Sequence, residues 1–373
     1  MNYLEKAKVW KDFKGLDPAL KKELDGMTDQ DLQEAFTNDL EFGTGGLRGI
    51  LGCGTNRMNI YIVEKATLGF GRYLLKQSKV AQSRGVAISH DNRHFSVEFA
   101  RKSAEVLTSL GFRVFLFEAL RPTPELSYAV RNFNCIGGIM ITASHNPYHD
   151  NGIKIIDSNG DKMKDDFLKE VEDYIDGAFY LEASSDTGKC YDYIFGRNEY
   201  VKHLIDIPKE SFRGYKIGLD CANGASFSIA SNIFNLLGAD VFAINNHPDG
   251  ENINVKCGST RPEILQKYVV KNNLDVGFAF DGDADRCMMV DEQGKLVDGD
   301  GIIYIISKYL KLNSKLNKDT VVATACPKHI VAIQHEKRNK EGVFTACCTD
   351  ESACIGCAMC AMMCPDCAII IEK

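Results

Sequence analysis

The chain has 373 residues, 45% hydrophobic and 25% charged, so it can bury a large core in roughly two or three domains of ordinary globular composition. Its formal net charge of -7, with no long basic run, argues against nucleic acid as a main partner. No uncharged apolar run approaches the roughly 18 residues of a membrane span, and the opening "MNYLEKAKVWKDFKG" lacks the apolar core of a secretion signal, so a cytoplasmic protein off the membrane is expected.

Residues 2–36 read as helical, with the Thr28-x-x-Asp31 spacing of a cap before "LQEAF". A glycine-rich loop, "FGTGGLRGILG", precedes the helix "VEKATLGFGRYLLKQ" and the strand "GVAISHD". The helix "SVEFARKSAEVLTSLG" leads to the strand "FRVFLFE", and "RPTPELSYAVRNF" to the apolar strand "CIGGIMITAS". The pattern restarts around residues 185–200. "YKIGLDCANG" reads as strand and turn, "SFSIASNIFNLLG" as helix, "ADVFAIN" as strand, "PEILQKYVVKNN" as helix and "LDVGFAFDGDADR" as a strand entering an acidic loop. A third start gives the helix "DGIIYIISKYLK" and the strand "DTVVATA". Short apolar strands alternating with helices predict an α/β fold with a mainly parallel sheet. Beyond residue 325 the rhythm stops in a short, cysteine-dense tail without a clear long helix.

The 14 cysteines divide unevenly. Cys53, Cys135, Cys190, Cys221, Cys257 and Cys287 are scattered and read as reduced thiols serving as small apolar side chains. The other eight fall between Cys326 and Cys367.

Three constellations carry chemistry. Asp281, Asp283 and Asp285 stand at alternate positions after an apolar strand, and Gly282 lets the chain turn there. Their oxygens suit a hard cation such as Mg²⁺; the glycine is misplaced for an EF-hand, and a solvated acidic turn is the plainer alternative. Ser144 follows "GGIMIT", at the C-terminal end of a strand where open α/β sheets place their sites, and Asn146-Pro147 makes a turn beside it. Taken alone, an ordinary turn and a nucleophile fit it equally. "GTGGLRG" is not the dinucleotide fingerprint, since Arg48 stands where the third glycine belongs, but it can offer backbone amides to a phosphate. Asp91 and Arg93 in "SHDNRH", and Gly258-Ser259-Thr260, are weaker signals that read as structural.

"GTGGLRG", "TASHNP" and "DGDADR", in this order and over residues 1–325, resemble the α-D-phosphohexomutase superfamily. The resemblance implies successive α/β domains with mixed sheets. It implies Ser144 as a phosphoserine carrier and as a ligand of Mg²⁺ together with Asp281, Asp283 and Asp285. By position it implies Arg48 and Lys154 as basic residues of the reaction centre. His145 is implied beside the phosphoserine, and Arg286 beside the metal loop as a substrate contact. Lys154 would act as acid or base if neighbouring cations lowered its pKa. Up to the serine loop the text is similar to the phosphoglucomutase and phosphomannomutase branch. From about residue 142, "SHNPYHDNGIKIIDSNGDKM" and "NINVKCGSTRPE" are similar to phosphoglucosamine mutase. The implied division is 1–190 for the phosphoserine domain, 191–298 for the metal-loop domain and 299–325 for a fragment of a third domain. The sugar-reading and phosphate-binding loops of intact members are not recognisable, so a truncated chain of low turnover is expected.

In the tail, Cys354-x₂-Cys357-x₂-Cys360-x₃-Cys364-Pro365 has the spacing of a bacterial ferredoxin run. Residues 326–373 resemble part of the ferredoxin-like small subunit of 2-oxoacid:ferredoxin oxidoreductases, implying a small α+β module. One [4Fe–4S] cluster is expected on Cys326, Cys354, Cys357 and Cys360, with a redox partner; Cys364 would take the place of Cys326 if a single run held the cluster. The expected function is a hexose phosphate mutase, phosphoglucosamine mutase-like, with a phosphoglucomutase or phosphomannomutase as alternative. An electron-transfer protein, or a chimera of no combined function, remains the rival reading.

Overall fold

The computed structural model describes residues 1–43, 45–173, 188–194, 196–312, 331–338, 344–348, 350 and 352. The chain divides into two compact units, Met1–Gly294 and Lys295–Lys373.

The first unit opens with three short helices, α1 (Tyr3–Asp12), α2 (Pro18–Gly26) and α3 (Asp29–Phe36). The sequence pattern shows one helical stretch; the breaks come from caps. Asn2 and Thr28 form reciprocal capping boxes with Glu5 and Asp31, and Asp17 caps a helix that begins at Pro18. Trp10, Leu24 and Phe36 are buried together with Tyr61 of α4 (Ile60–Gln77), and the Trp10 ring meets Phe36 and Tyr61 edge to face at 5.7 and 5.6 Å.

The first sheet joins β1 (Leu47–Ile50), β2 (Val86–His90), β3 (Val114–Leu116), β4 (Gly137–Ile141), β5 (Asp150–Ile156) and β6 (Cys190–Asp192) in the order β1-β5-β4-β2-β3-β6. Its parallel core is β4, β2, β3 and β6; β5 and β1 are added antiparallel. The helices around it are α5 (Ala81–Arg84), α6 (Ser96–Ser109), α7 (Thr123–Asn132) and α8 (Asp165–Asp173). Side chains of β2 and β4 alternate between two cores. Ile88, Ile139 and Ile141 join Phe70 and Leu107 on one face, while Ala87 and Met140 join Leu126 and Val130 of α7 on the other. Burial on both faces is why these strands read as continuous apolar runs.

The sheet is mixed. The glycine-rich stretch expected as a loop supplies β1, and β5 lies inside the polar motif "HDNGIKII", where polar residues hide its strand character. Residues Gly152, Ile153 and Lys154 are nonetheless all buried, because β5 runs between β1 and β4.

After α9 (Gly196–Ile205), the second sheet contains β7 (Lys216–Asp220), β8 (Asp240–Ile244), β9 (Val276–Phe280) and β10 (Cys287–Asp291). Within the first unit these run β10-β9-β7-β8, with β10 antiparallel to β9 and the others parallel. Helices α10 (Ile229–Leu236) and α11 (Glu263–Asn272) accompany it, and Leu265 and Val269 of α11 are fully buried. Among the scattered cysteines, all unpaired, Cys53, Cys135, Cys221 and Cys257 are buried as apolar side chains; Cys190 and Cys287 lie exposed instead, on a short edge strand and at the start of β10.

The second unit contains β11 (Leu296–Val297), α12 (Gly299–Leu312) and an antiparallel pair, β12 (Val331–Arg338) and β13 (Phe344–Cys348). The expected strand "DTVVATA" and the expected cluster ligands Cys326, Cys354, Cys357 and Cys360, with Cys364, lie outside the described residues. No helix among the described residues is long and apolar enough to cross a membrane.

Candidate active site

The site forms where three strands of the first unit end. β2 runs into Asp91 and Arg93, β4 into Thr142 and Ser144, and β9 into the loop of Asp281, Asp283 and Asp285.

Ser144 is buried and adopts a left-handed backbone with φ of 54°. An L-residue occupies that region only when its surroundings hold it there. Its amide donates to Thr142 Oγ1 at 2.9 Å, and Thr142 Oγ1 donates to Asp91 Oδ2 at 2.7 Å. With its main chain fixed in this way, Ser144 points its hydroxyl at Asp281 and donates to Oδ2 at 2.7 Å. The serine loop and the aspartate loop, 137 residues apart in sequence, therefore meet side chain to side chain.

The three aspartates offer carboxylate oxygens that all lie within 4.8 Å of one another, with Asp281 and Asp283 buried and Asp285 exposed. Asp283 Oδ2 accepts from Lys154 Nζ at 2.5 Å and from Thr123 Oγ1 at 2.6 Å. Lys154 Nζ also reaches Asp285 Oδ2 at 2.7 Å. Asp283 Oδ1 is buried without a hydrogen-bond partner. A buried, unpartnered carboxylate oxygen in a set of three hard oxygen donors fits a divalent cation such as Mg²⁺.

The electrostatics follow from crowding. Burial, then the neighbouring charges of Asp283 and Asp285, push Asp281 up to about 7. Burial acts on Asp283 in the same direction, but the charge and hydrogen bond of Lys154 and the bond from Thr123 outweigh it and hold that carboxyl below the usual range. Lys154 is raised: desolvation works against its charge, and the two aspartates more than restore it. The lowered Lys154 pKa expected from neighbouring cations is not found, because its nearest partners are anions. His145 moves the other way. Partial burial, then Arg286 and Arg48, lower its pKa, and its Nδ1 is buried without a hydrogen-bond partner.

Arg48 lies on β1, tethered through Nε to the carbonyl of Gly45 at 2.9 Å. Lys154 on β5 reaches the aspartate loop because β5 lies between β1 and β4, so the antiparallel additions to the sheet carry both basic residues. Arg286 is more peripheral, exposed and 4.0 Å from Asp285.

Gly282 has a packing requirement. A Cβ there would stand 2.6 Å from the Ser144 carbonyl oxygen and 2.7 Å from Asn254 Nδ2. The same Asn254 Nδ2 donates to the Ser144 carbonyl at 2.8 Å. Sequence reasoning missed Thr123 and Asn254 as site residues. Thr123 sits in "RPTPELSYAVRNF" and Asn254 in "NINVKCGSTRPE", and nothing local says which distant loop either one meets.

Residues 39–180 match the family model for phosphoglucomutase/phosphomannomutase alpha/beta/alpha domain I, and residues 198–294 match domain II. A phosphoglucosamine mutase of Lachnoclostridium phytofermentans is 44% identical over 288 residues, covering 76% of this chain and 62% of the relative. The phosphoglucosamine mutase of Lachnospira eligens is 38% identical over 327 residues, covering 83% of this chain and 70% of the relative. The chain thus spans less than two thirds of the length of the Lachnoclostridium relative. Among solved structures, a phosphomannomutase from Thermus thermophilus, described as putative, superposes with a TM-score of 0.63 at 24% identity, over 76% of this chain and 63% of its own. A phosphoglucomutase/phosphomannomutase family protein from Burkholderia thailandensis gives 0.63 at 23%, over 73% and 59%. Two domain models in chain order, one spanning the serine loop and the other the aspartate loop, and a relative 38% identical that is covered over 70% of its length, place this chain in the α-D-phosphohexomutase family.

Proposed function

We propose that this chain carries the phosphoryl-transfer half-site of a hexose phosphate mutase, with phosphoglucosamine as the preferred sugar. The observation that carries the reading is the contact of Ser144 Oγ with Asp281 at 2.7 Å, inside a carboxylate set that fits Mg²⁺. The sugar preference rests on relatives of 38–44% identity that are phosphoglucosamine mutases.

Ser144 carries the phosphoryl group. A sugar hydroxyl oxygen bonds to phosphorus as the bond from phosphorus to Ser144 Oγ breaks, which leaves a hexose bisphosphate and a serine oxyanion that takes a proton. The reverse step at the other phosphate restores the phosphoserine. Bound Mg²⁺ would supply positive charge to the phosphoryl oxygens, held by Ser144, Asp281, Asp283 and Asp285. Arg48 and Lys154 bring cationic donors to the same oxygens. The two titratable groups beside Ser144 are pushed apart, Lys154 upward and His145 downward. We assign the proton returned to the serine oxygen to Lys154, whose ammonium stands on Asp283 and Asp285 in the same cluster as Ser144, and the acceptance of the sugar hydroxyl proton to His145, next to Ser144 in the chain. Arg286 contacts the substrate at the outer edge.

Intact mass and peptide mapping of the purified chain test this reading. Phosphate is expected on Ser144, absent in Ser144→Ala. Transfer of that phosphate to glucosamine 6-phosphate should exceed transfer to glucose 6-phosphate or mannose 6-phosphate. Phosphate found elsewhere, with residues 142–154 unmodified, would remove Ser144 from the role.

For the tail, the cysteine run supports one [4Fe–4S] cluster on Cys326, Cys354, Cys357 and Cys360, facing a redox partner. Iron and sulfide analysis after anaerobic reconstitution should show loss of the cluster in Cys326→Ser and its retention in Cys364→Ser. The opposite pattern would assign the single run instead.

A further inference from the structure

We infer that Arg93, with Asn254, is the positioning residue of the serine loop: its buried guanidinium fixes the loop carbonyls and so holds Ser144 in the conformation that aims its hydroxyl at Asp281. The inference rests on the reading of Ser144 as phosphoryl carrier.

Arg93 lies in "SHDNRH", between β2 and α6, and its side chain is fully buried. A buried guanidinium must place all five of its N–H groups, or leave a charged donor desolvated and unpaired. Here every one has a partner. Nε donates to Asp91 Oδ2 at 2.9 Å. One terminal nitrogen donates to the carbonyls of Ser144 and Asn146, each at 2.8 Å. The other donates to the carbonyl of Asp150 at 3.0 Å and to that of Pro147. Four carbonyls from one seven-residue turn, 144–150, thus converge on a single planar cation. With four of its seven carbonyls held on the guanidinium, the loop keeps one course, and at its start the Ser144 hydroxyl meets the aspartate loop.

Asp91 secures the cation and the loop together. Its Oδ1 accepts from the Arg93 amide at 3.0 Å and from Ser96 Oγ at 2.8 Å, while Oδ2 is shared between Arg93 Nε and Thr142 Oγ1. Asn254 closes the arrangement from the other side. Its Nδ2 donates to the same Ser144 carbonyl at 2.8 Å and to that of Asn146 at 3.3 Å. The Ser144 carbonyl therefore accepts from both the arginine of the first sheet's domain and the asparagine of the second. Lysine cannot reproduce this, because a compact ammonium has three donors and no planar fork.

The test uses the full chain and its Arg93→Lys and Asn254→Ala variants, each first freed of Ser144 phosphate by phosphatase treatment as checked by intact mass, with MgCl₂ and glucose 1,6-bisphosphate. Three quantities are read: phosphorylation of Ser144 against time by intact mass, the bisphosphate concentration at half rate, and amide hydrogen exchange across residues 144–150. Both variants are expected to stay folded by circular dichroism. Displacing a reacting group by about 1 Å costs on the order of 100-fold in rate, and Arg93→Lys is expected to slow Ser144 phosphorylation by about that factor. The half-rate concentration should change less than about threefold, and the loop amides should exchange at least about tenfold faster. Asn254→Ala, which removes one donor from a carbonyl that keeps another, should slow phosphorylation about tenfold.

Phosphorylation at the parental rate in both folded variants overturns the inference. If Arg93→Lys does not fold, Asn254→Ala decides alone, and the parental rate in that variant overturns it. If the parent takes no phosphate on Ser144, the phosphoserine reading fails, and exchange judges the clamp: unchanged loop protection in the variants overturns it, faster exchange upholds it.

Discussion

Glu125 shows how one buried side chain can set the pH response of a fold. It stands in the first turn of α7, fully buried, and neither carboxylate oxygen has a hydrogen-bond partner. Arg121 Nε is 3.8 Å from Oε1, close enough to attract but too long for a hydrogen bond. Burial pushes Glu125 up to about 7 despite that attraction. An unfolded glutamate titrates near about 4.3, so the unfolded chain releases this proton first. Stability contributed by the neutral carboxyl is therefore complete below about pH 4 and is lost as pH rises to about 7, by on the order of 3 kcal/mol. Glu125→Gln should be more stable than the parent at pH 8 and should flatten the slope between pH 5 and 7, as read by urea unfolding at stepped pH. At the same scale, Asp283→Ala removes a buried carboxylate from the triad. It should weaken Mg²⁺ binding at least about tenfold by calorimetry; equal affinity in variant and parent would take this loop out of the metal site.

At the scale of elements, two close approaches carry predictions. The aspartate loop reaches the serine loop only because Gly282 has no side chain, and an added methyl would meet the Ser144 carbonyl oxygen at 2.6 Å. Gly282→Ala should cost about 1–3 kcal/mol of stability through overpacking and should weaken Mg²⁺ binding with it. A variant with parental melting temperature and affinity would show that the two loops have room to separate. The three N-terminal helices depend on Trp10, the single tryptophan, wedged between Phe36 and Tyr61. Trp10→Ala should destabilise by about 3–5 kcal/mol, measured by denaturant midpoint, since it empties the middle of that small core. The helices themselves were legible: α4, α6, α7, α10 and α11 follow the apolar periodicity of their sequences. β5 was not, because its pattern is masked by the polar residues that its position beside the site requires.

At the scale of the molecule, Ser144, Lys154 and the three aspartates all belong to the unit Met1–Gly294. A fragment ending at Gly294 should fold as α/β and bind Mg²⁺ with the affinity of the full chain. Loss of binding in a folded fragment would show that the second unit supports the site. Both family-model matches end within the same unit.

The sequence by itself determined the alternation of strand and helix, the serine loop and the aspartate loop, because each is a local pattern: apolar period, turn chemistry, carboxylate spacing. It also marked Arg93 and Asp91 without giving them work. Only the tertiary structure decided that Lys154 sits among anions and is held charged, that Thr123 and Asn254 belong to the site, and that the Arg93 guanidinium gathers four carbonyls of one turn. The reason is physical. Hydrogen bonding and pKa depend on what surrounds a group in space, and those neighbours come from residues up to 160 positions away, as Thr123 and Asp283 do.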